Sequence, residues 1–386
     1  MPTTRLKNAI YHTALPFLAP SVRKQLTLQS KGIPHDHEQD LTAILSRHHV
    51  FGAALQMEKN GKCATVYESL REPRRVVSES TVFRAASLTK TASALGILRL
   101  CEKGSMDLDE EINAFLPQAH SILKGITLRH ILSHRSGLRD TPLTDQVLRD
   151  EGTYMTVLDD PNIQYSVPDR CFLYCNFAYG LLGCAIEHVT GEGIAEAMEH
   201  LVFAPLAMNA TLDRNQVSVD RLLLPVRVLP YAVSSLSRNT PHFPPDIPSP
   251  LTHFGYTQGA LYVTCESYAR LLRCIARVGM CDSGVPLVSA ASIAQMKTEH
   301  STYGAASPTL SYGLGLLIVR DSRLSPHALY GHQGFAYGSV HGAFFDEENC
   351  ITFLTGGASE ERIGMMGRCN LDILTWALEE MKTWKL

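Results

Sequence analysis

Ser87-Leu88-Thr89-Lys90 holds the first chemistry visible in this 386-residue chain. A serine hydroxyl is a weak nucleophile at neutral pH and needs a base within hydrogen-bond reach. If Ser87 opens a helix, Lys90 lies one turn on along the same face, and its amine approaches the hydroxyl. The helix N-terminus also favours negative charge developing there. Alone the pattern is weak, since Ser-x-x-Lys arises by chance on the order of once in a chain this long. It occurs three times here, also at Ser21-Val22-Arg23-Lys24 in a polar leader and at Ser121-Ile122-Leu123-Lys124 after Leu116-Pro117. Only Ser87 follows a strand-like run, Thr81-Val82-Phe83, and opens a long apolar helix.

Tyr174-Cys175-Asn176 is the one Tyr-x-Asn among 14 tyrosines. An ammonium beside a phenol favours the phenolate. Tyr174 is therefore expected to act as base toward Ser87 and as acid toward a leaving group, with Asn176 holding Lys90 and a substrate amide. The third element is His332-Gln333-Gly334, expected just ahead of a strand, where glycine lets a substrate backbone approach a sheet edge.

These groups need a scaffold. The first 40 or so residues read as a polar, irregular extension. Strand alternation begins at Phe51-Gly52-Ala53-Ala54-Leu55 and is followed by Asn60-Gly61, a strong hairpin signal. From Ser87 to Glu102 the apolar residues Ala92, Leu95, Ile97 and Leu98 repeat at helical spacing, and Lys103-Gly104 supplies the stop. Helices are expected at Leu128 to Leu132, Phe177 to Val189 closed by Thr190-Gly191, Ile194 to Leu201 and Tyr268 to Val278. The prolines between 225 and 255 predict a long surface excursion. Strands return at Tyr312 to Val319, Ser339 to Phe345 and Cys350 to Leu354, and an amphipathic helix closes the chain from about Arg368 to Trp384.

Strands at both ends with helices between them predict an α+β fold, an antiparallel sheet flanked by helices with an inserted mainly helical region. The expected division is an extension at 1–40 and one catalytic domain at 41–386. Its α/β part covers about 41–104 and 300–386, its helical part about 105–299, with the cleft between them.

In this order the motifs resemble the serine β-lactamase and penicillin-binding protein superfamily. The likeness is strongest to its class C-like branch of esterases, D-aminopeptidases, D-amino-acid amidases and acyltransferases. Supporting runs are Phe83-Arg84-Ala85-Ala86 before Ser87, Leu108-Asp109, Ile131-Leu132-Ser133-His134-Arg135-Ser136-Gly137-Leu138, Gly259-Ala260-Leu261-Tyr262 and Tyr312-Gly313-Leu314-Gly315. The resemblance spans about residues 45 to 380 and implies a β-lactamase/transpeptidase-like fold. It further implies an acyl-enzyme on Ser87, proton handling by Lys90 and Tyr174, and an Asn176 that orients Lys90 and substrate. The oxyanion hole would be the backbone N–H groups of Ser87 and Phe335. The chief departure is His332-Gln333-Gly334 where the family has Lys-Thr-Gly. A largely neutral imidazole there suits esters, amides or peptides without a free carboxylate, and His332 is expected to line the site. Whether Phe335, Tyr337 and Tyr256 wall the pocket is left open.

Other classes fit less well. A net charge of −3 without long runs of one sign leaves no footprint for nucleic acid. No apolar run approaches the roughly 20 residues of a membrane-spanning helix, and the N-terminal stretch lacks the features of a signal peptide. Ten cysteines without a C-x-x-C pair read as inert thiols in a reducing cytoplasm, Cys171 and Cys175 included. His35-Asp36-His37-Glu38-Gln39-Asp40 reads as a solvated polar loop, and His130 with His134 as part of a structural turn, so neither metal nor cofactor is expected. The expectation is a cytoplasmic, metal-free serine hydrolase of a small ester, amide, short peptide or β-lactam-like substrate, with D-amino-acid selectivity among the options. The alternatives are an acyltransferase on the same scaffold and a catalytically silent penicillin-binding-like sensor.

Overall fold

A computed structural model describes residues 9–10, 13–14, 27–70, 76–147, 153–223, 254–336 and 338–384. Strands β2 (Gly52–Lys59) and β3 (Lys62–Ser69) form the expected hairpin. Asn60 and Gly61 have φ of 50° and 80°, the left-handed values a tight type I′ turn needs at both central positions. β4 (Val82–Arg84), β5 (Ala210–Thr211) and β6 (Tyr262–Thr264) make a small sheet of order β4-β6-β5 that delivers the chain to Ser87.

The main sheet has nine strands in the order β1-β3-β2-β12-β11-β10-β9-β8-β7. Here β1 is Thr27–Lys31, β7 Ser301–Thr302, β8 Leu310–Tyr312, β9 Leu317–Val319, β10 Leu329–Ala336, β11 Ser339–Phe345 and β12 Asn349–Gly356. Every neighbouring pair is antiparallel, and β2 joins β12 in register from Gly52↔Gly356 to Lys59↔Asn349. The sheet is thus assembled from distant chain segments, and the α+β reading with an antiparallel sheet holds.

Helices cover both faces because alternate strand residues are apolar on each side. On one face α1 (His35–Arg47) and the C-terminal helix α6 (Arg368–Lys382) bury Leu41, Leu45, Ile373, Leu374 and Ala377 against Leu55, Val66 and Phe353. On the other, α2 (Thr89–Glu102), α4 (Asn176–Thr190) and α5 (Cys265–Ala276) place Leu95, Leu98, Leu181 and Leu271 against Ala54, Phe345 and Leu354. Between α2 and α4 in the chain lies the short α3 (Leu128–Leu132). Helix α2 has no exposed residue along its apolar length and is central, as its sequence predicts.

Two expectations are corrected. Residues 27–31 are not part of an irregular leader but pair with β3, and the polar run from His35 is the first turn of α1 rather than a solvated loop. Asp36 and Glu38 suit a helix N-terminus, and Leu41 and Leu45 supply one turn of apolar face. His37 and Trp384 both hydrogen-bond Glu380, the latter at 3.1 Å, so this polar run pins α1 to α6. Second, His332-Gln333-Gly334 lies inside β10 rather than ahead of a strand. Gly331 and Gly334 masked the pattern, since glycine weakens a strand signal. A Cβ on Gly331 would strike the Ala343 carbonyl of the adjoining strand. The proline-rich stretch lies, for residues 224–253, outside the described residues. Among the described residues no helix is long and apolar enough to cross a membrane.

Candidate active site

The turn between β4 and α2 sets Ser87. Ala86 has φ 48°, a left-handed conformation that costs a non-glycine residue about 1–2 kcal/mol. The strain is held in place by Leu88 N–H to the Ala85 carbonyl (3.2 Å), Thr89 Oγ1 to the Ala86 carbonyl (2.6 Å) and Leu261 N–H to Thr89 Oγ1 (3.1 Å). Ser87 is thereby held half-buried at the pocket floor, with Lys90 fully buried beneath it.

As an ammonium, Lys90 directs its three donors to Ser87 Oγ (3.1 Å), Asn176 Oδ1 (2.8 Å) and the Gln258 carbonyl (2.7 Å); as the free amine it keeps two N–H groups and a lone pair. Burial pushes its pKa down to about 7, against the opposing pull of Asp140 and Cys175. Near neutral pH a large share of this amine is therefore an unprotonated base, matched to general-base work.

Tyr174 Oη donates to Ser87 Oγ at 3.0 Å. The expected easing of its ionisation does not occur. Burial pushes the phenol well above its ordinary range, although the Ser87 hydrogen bond and the Arg362 charge act the other way. Tyr174 thus favours its protonated form, and of the two groups on Ser87 Oγ it is Lys90 that is shifted toward its basic form.

Asn176 opens α4, where the backbone N–H groups lack helical partners. Asp140 meets them, a residue the sequence reading missed. Its Oδ2 accepts from Asn176 N–H (3.0 Å) and Nδ2 (2.8 Å), and its Oδ1 from Phe177 N–H (2.8 Å) and the Cys175 thiol (3.5 Å). Cys175 in turn caps Ala178 N–H through Sγ at 3.4 Å.

On β10, His332 is buried and both ring nitrogens are engaged. Nδ1–H donates to the Gln333 carbonyl (2.7 Å), which fixes Nε2 as acceptor from Tyr312 O–H (2.7 Å). Burial, then the Lys90 charge, push its pKa down to about 3, so the imidazole is neutral. It is a rigid wall rather than a proton carrier. Gln333 faces the pocket, but its amide is tied elsewhere: Nε2 donates to the Met365 carbonyl (2.6 Å), and Oε1 accepts from Gly367 N–H (3.0 Å) and Asn370 Nδ2 (3.3 Å). It fastens the small hairpin of β13 (Arg362–Ile363) and β14 (Met366–Gly367) beside the site. Gly334 leaves room for the Ala85 carbonyl rather than for a substrate, because a Cβ there would strike that oxygen.

That contact yields a prediction. Gly334→Ala should push β10 away from the turn before Ser87, lowering kcat/KM roughly 100-fold, the scale of an ångström-sized misplacement. Steady-state kinetics beside a thermal melt check it, with a lowered Tm expected.

Together these elements enclose a pocket of about 370 Å³. Ser87, Tyr174, Asn176, His332, Gln333 and Phe335 line it, joined by Asp140, Tyr303, Leu317, Met365 and two guanidinium groups, Arg84 and Arg362. Arg362 lies over the Phe335 ring at 4.1 Å. So although His332 to Gly334 supply no permanent cation, the pocket wall does. Tyr256 is buried outside this lining, and Tyr337 lies outside the described residues. Ser121 sits on an exposed turn away from the pocket, and Ser21 is outside the described residues. Arg84 and Tyr312 belong to the Phe83-Arg84-Ala85-Ala86 and Tyr312-Gly313-Leu314-Gly315 runs, whereas Asp140 and Arg362 carry no spacing signal in the sequence. Among the described residues no cluster of His, Cys, Asp or Glu forms a metal site.

A model of the Beta-lactamase family matches residues 36–365. A penicillin-binding protein of Bacillus subtilis (strain 168) is 28% identical over 207 residues, covering 51% of this chain and 44% of that protein. Esterase EstB of Burkholderia gladioli is 30% identical over 166 residues, 36% of this chain and 40% of the esterase. The matched stretches thus span less than half of either relative. The crystal structure of D-amino acid amidase from Ochrobactrum anthropi SV3 complexed with L-phenylalanine superposes with a TM-score of 0.70 at 22% identity, over 90% of this chain and 98% of the amidase.

Proposed function

The chain belongs to the beta-lactamase family, and on that premise we propose that it is a serine hydrolase of small esters or amides that works through an acyl group on Ser87. The observation carrying this reading is the convergence of Lys90 Nζ (3.1 Å) and Tyr174 Oη (3.0 Å) on one hydroxyl at the floor of an open pocket.

In the proposed sequence neutral Lys90 takes the Ser87 proton as Oγ bonds to the carbonyl carbon. The resulting oxyanion is held by the Ser87 and Phe335 backbone N–H groups. When the carbon–oxygen or carbon–nitrogen bond breaks, the leaving group takes the Tyr174 proton. Tyr174 regains a proton from the Lys90 ammonium, which returns to the free amine. Water then attacks the ester, gives its proton to the same pair, and Ser87 Oγ leaves protonated. Asn176 keeps the amine aimed, and neutral His332 forms the wall where the family has a lysine.

The test is a panel of aryl esters, aryl amides and D- and L-amino acid amides, the last brought in by the likeness to the amidase. Ser87-dependent release of free acid, faster for esters than for amides, is the expected result. Conversion to the corresponding ester when methanol is added, in place of acid, would favour acyl transfer. Absence of Ser87-dependent turnover on every substrate would favour the silent sensor.

A further inference from the structure

The family motifs account for Ser87, Lys90, Tyr174 and Asn176, but not for the carboxylate behind them. Asp140 stands on the pocket wall and is largely exposed, yet four donors from the first turn of α4 converge on it. One of these is Asn176 Nδ2, so the other end of that amide, Oδ1, is the atom turned to Lys90. A carboxylate accepts only, which makes the orientation obligatory.

The remaining titratable groups around Lys90 are neutral. Its amine lies 5.0 Å from the Tyr174 ring centre and 5.5 Å from that of Tyr179, and burial keeps both phenols protonated. The Cys175 thiol is pushed up by burial, and His134 and His332 are pushed down, first by burial and then by Lys90 itself. Arg84 and Arg362 line the same pocket, and the charge of Arg362 acts on Tyr174 and Tyr303. Asp140 is the one carboxylate among the described residues lining the pocket.

We propose that Asp140 is a positioning residue that orients Asn176 and serves as the counter-charge of Lys90. The proposal rests on the hydrolase reading above. Through space the carboxylate favours the Lys90 ammonium. Deleting it makes the free amine available at lower pH, even as the aim of Asn176 is loosened.

The experiment follows the rate of Ser87 labelling by a fluorophosphonate, read by intact mass, from pH 5 to 9 in wild type, Asp140→Asn, Asp140→Ser and Asp140→Glu. Serine is included because it caps a helix without charge. In the Asn and Ser variants the acid limb should move to lower pH by about half a unit or more, the direction for losing a nearby opposite charge. Their plateau rates should fall. Asp140→Glu should keep the wild-type limb. An unmoved limb in the folded Asn and Ser variants, or no labelling of them at any pH, overturns the proposal. Absence of labelling in wild type overturns the hydrolase reading as well, so the two failures are distinguishable.

Discussion

Ser87→Ala is expected to lower turnover at least about 10,000-fold, the scale seen when a serine nucleophile is removed from a machinery that otherwise stays assembled. The remaining groups explain why the loss should be so large. In the proposed mechanism Lys90, Tyr174 and the oxyanion N–H groups all serve an acyl group carried on Oγ, and none of them supplies a nucleophile in its place. Stability should fall by only about 1 kcal/mol, because the Cβ is retained and the loss is that of one acceptor for Lys90 and Tyr174. Steady-state kinetics and a thermal melt on the same preparation read both quantities. A variant that keeps more than a tenth of the wild-type rate would point to another nucleophile.

The second large effect concerns Lys90. Lys90→Met should cost about 1,000-fold in turnover, in the range of a lost general base, while raising Tm. The folded-state pKa lies at about 7 against an ordinary 10.5, so the unfolded chain binds more protons between those values. Lys90 therefore destabilises the fold fully below pH 7, and the penalty fades as pH rises toward 10.5. It is on the order of a few kcal/mol, less whatever is lost when Asn176 Oδ1 and the Gln258 carbonyl are left without their donor. The Tm gain should be largest at or below pH 7 and shrink toward pH 10. Wild-type activity should fall as pH drops through about 7, because the free amine is lost. A melt series across pH and a pH–rate profile check the two halves. A gain in Tm that grows with pH would contradict the assignment of Lys90 as a buried, weakened base.

Much of the site was legible in the sequence because its parts are local. Ser87 and Lys90 share a helical face, Tyr174 and Asn176 straddle a helix start, and Asn60-Gly61 names its own turn. What escaped depends on contacts between distant residues. Asp140 meets Asn176 only after the segment between them folds back, and one aspartate has no periodicity to betray that. Tyr312 was visible within a motif, but its hydrogen bond to His332 arises from sheet packing. Gln333 lines the pocket beside His332, but its amide hydrogen bonds run to the β13–β14 hairpin and Asn370, which no local spacing announces. The phenol of Tyr174 was misjudged for a different reason. A nearby cation lowers a pKa and burial raises it, and sequence reveals the first far more readily than the second. The first strand and helix were obscured by a charged run whose apolar face, Leu41 and Leu45, is short.

The pocket wall refines the substrate question. His332 is neutral and occupied, which suits an uncharged group at that position, while Arg84 and Arg362 provide positive charge elsewhere in the same cavity. The ester and amide panel should therefore carry both neutral and carboxylate-bearing members.

The most direct test of the central claim is intact-mass spectrometry of wild type and Ser87→Ala after incubation with a fluorophosphonate. A single covalent adduct is expected on wild type and none on the variant. No adduct on the folded wild-type protein, or an adduct that persists in Ser87→Ala, would contradict that claim.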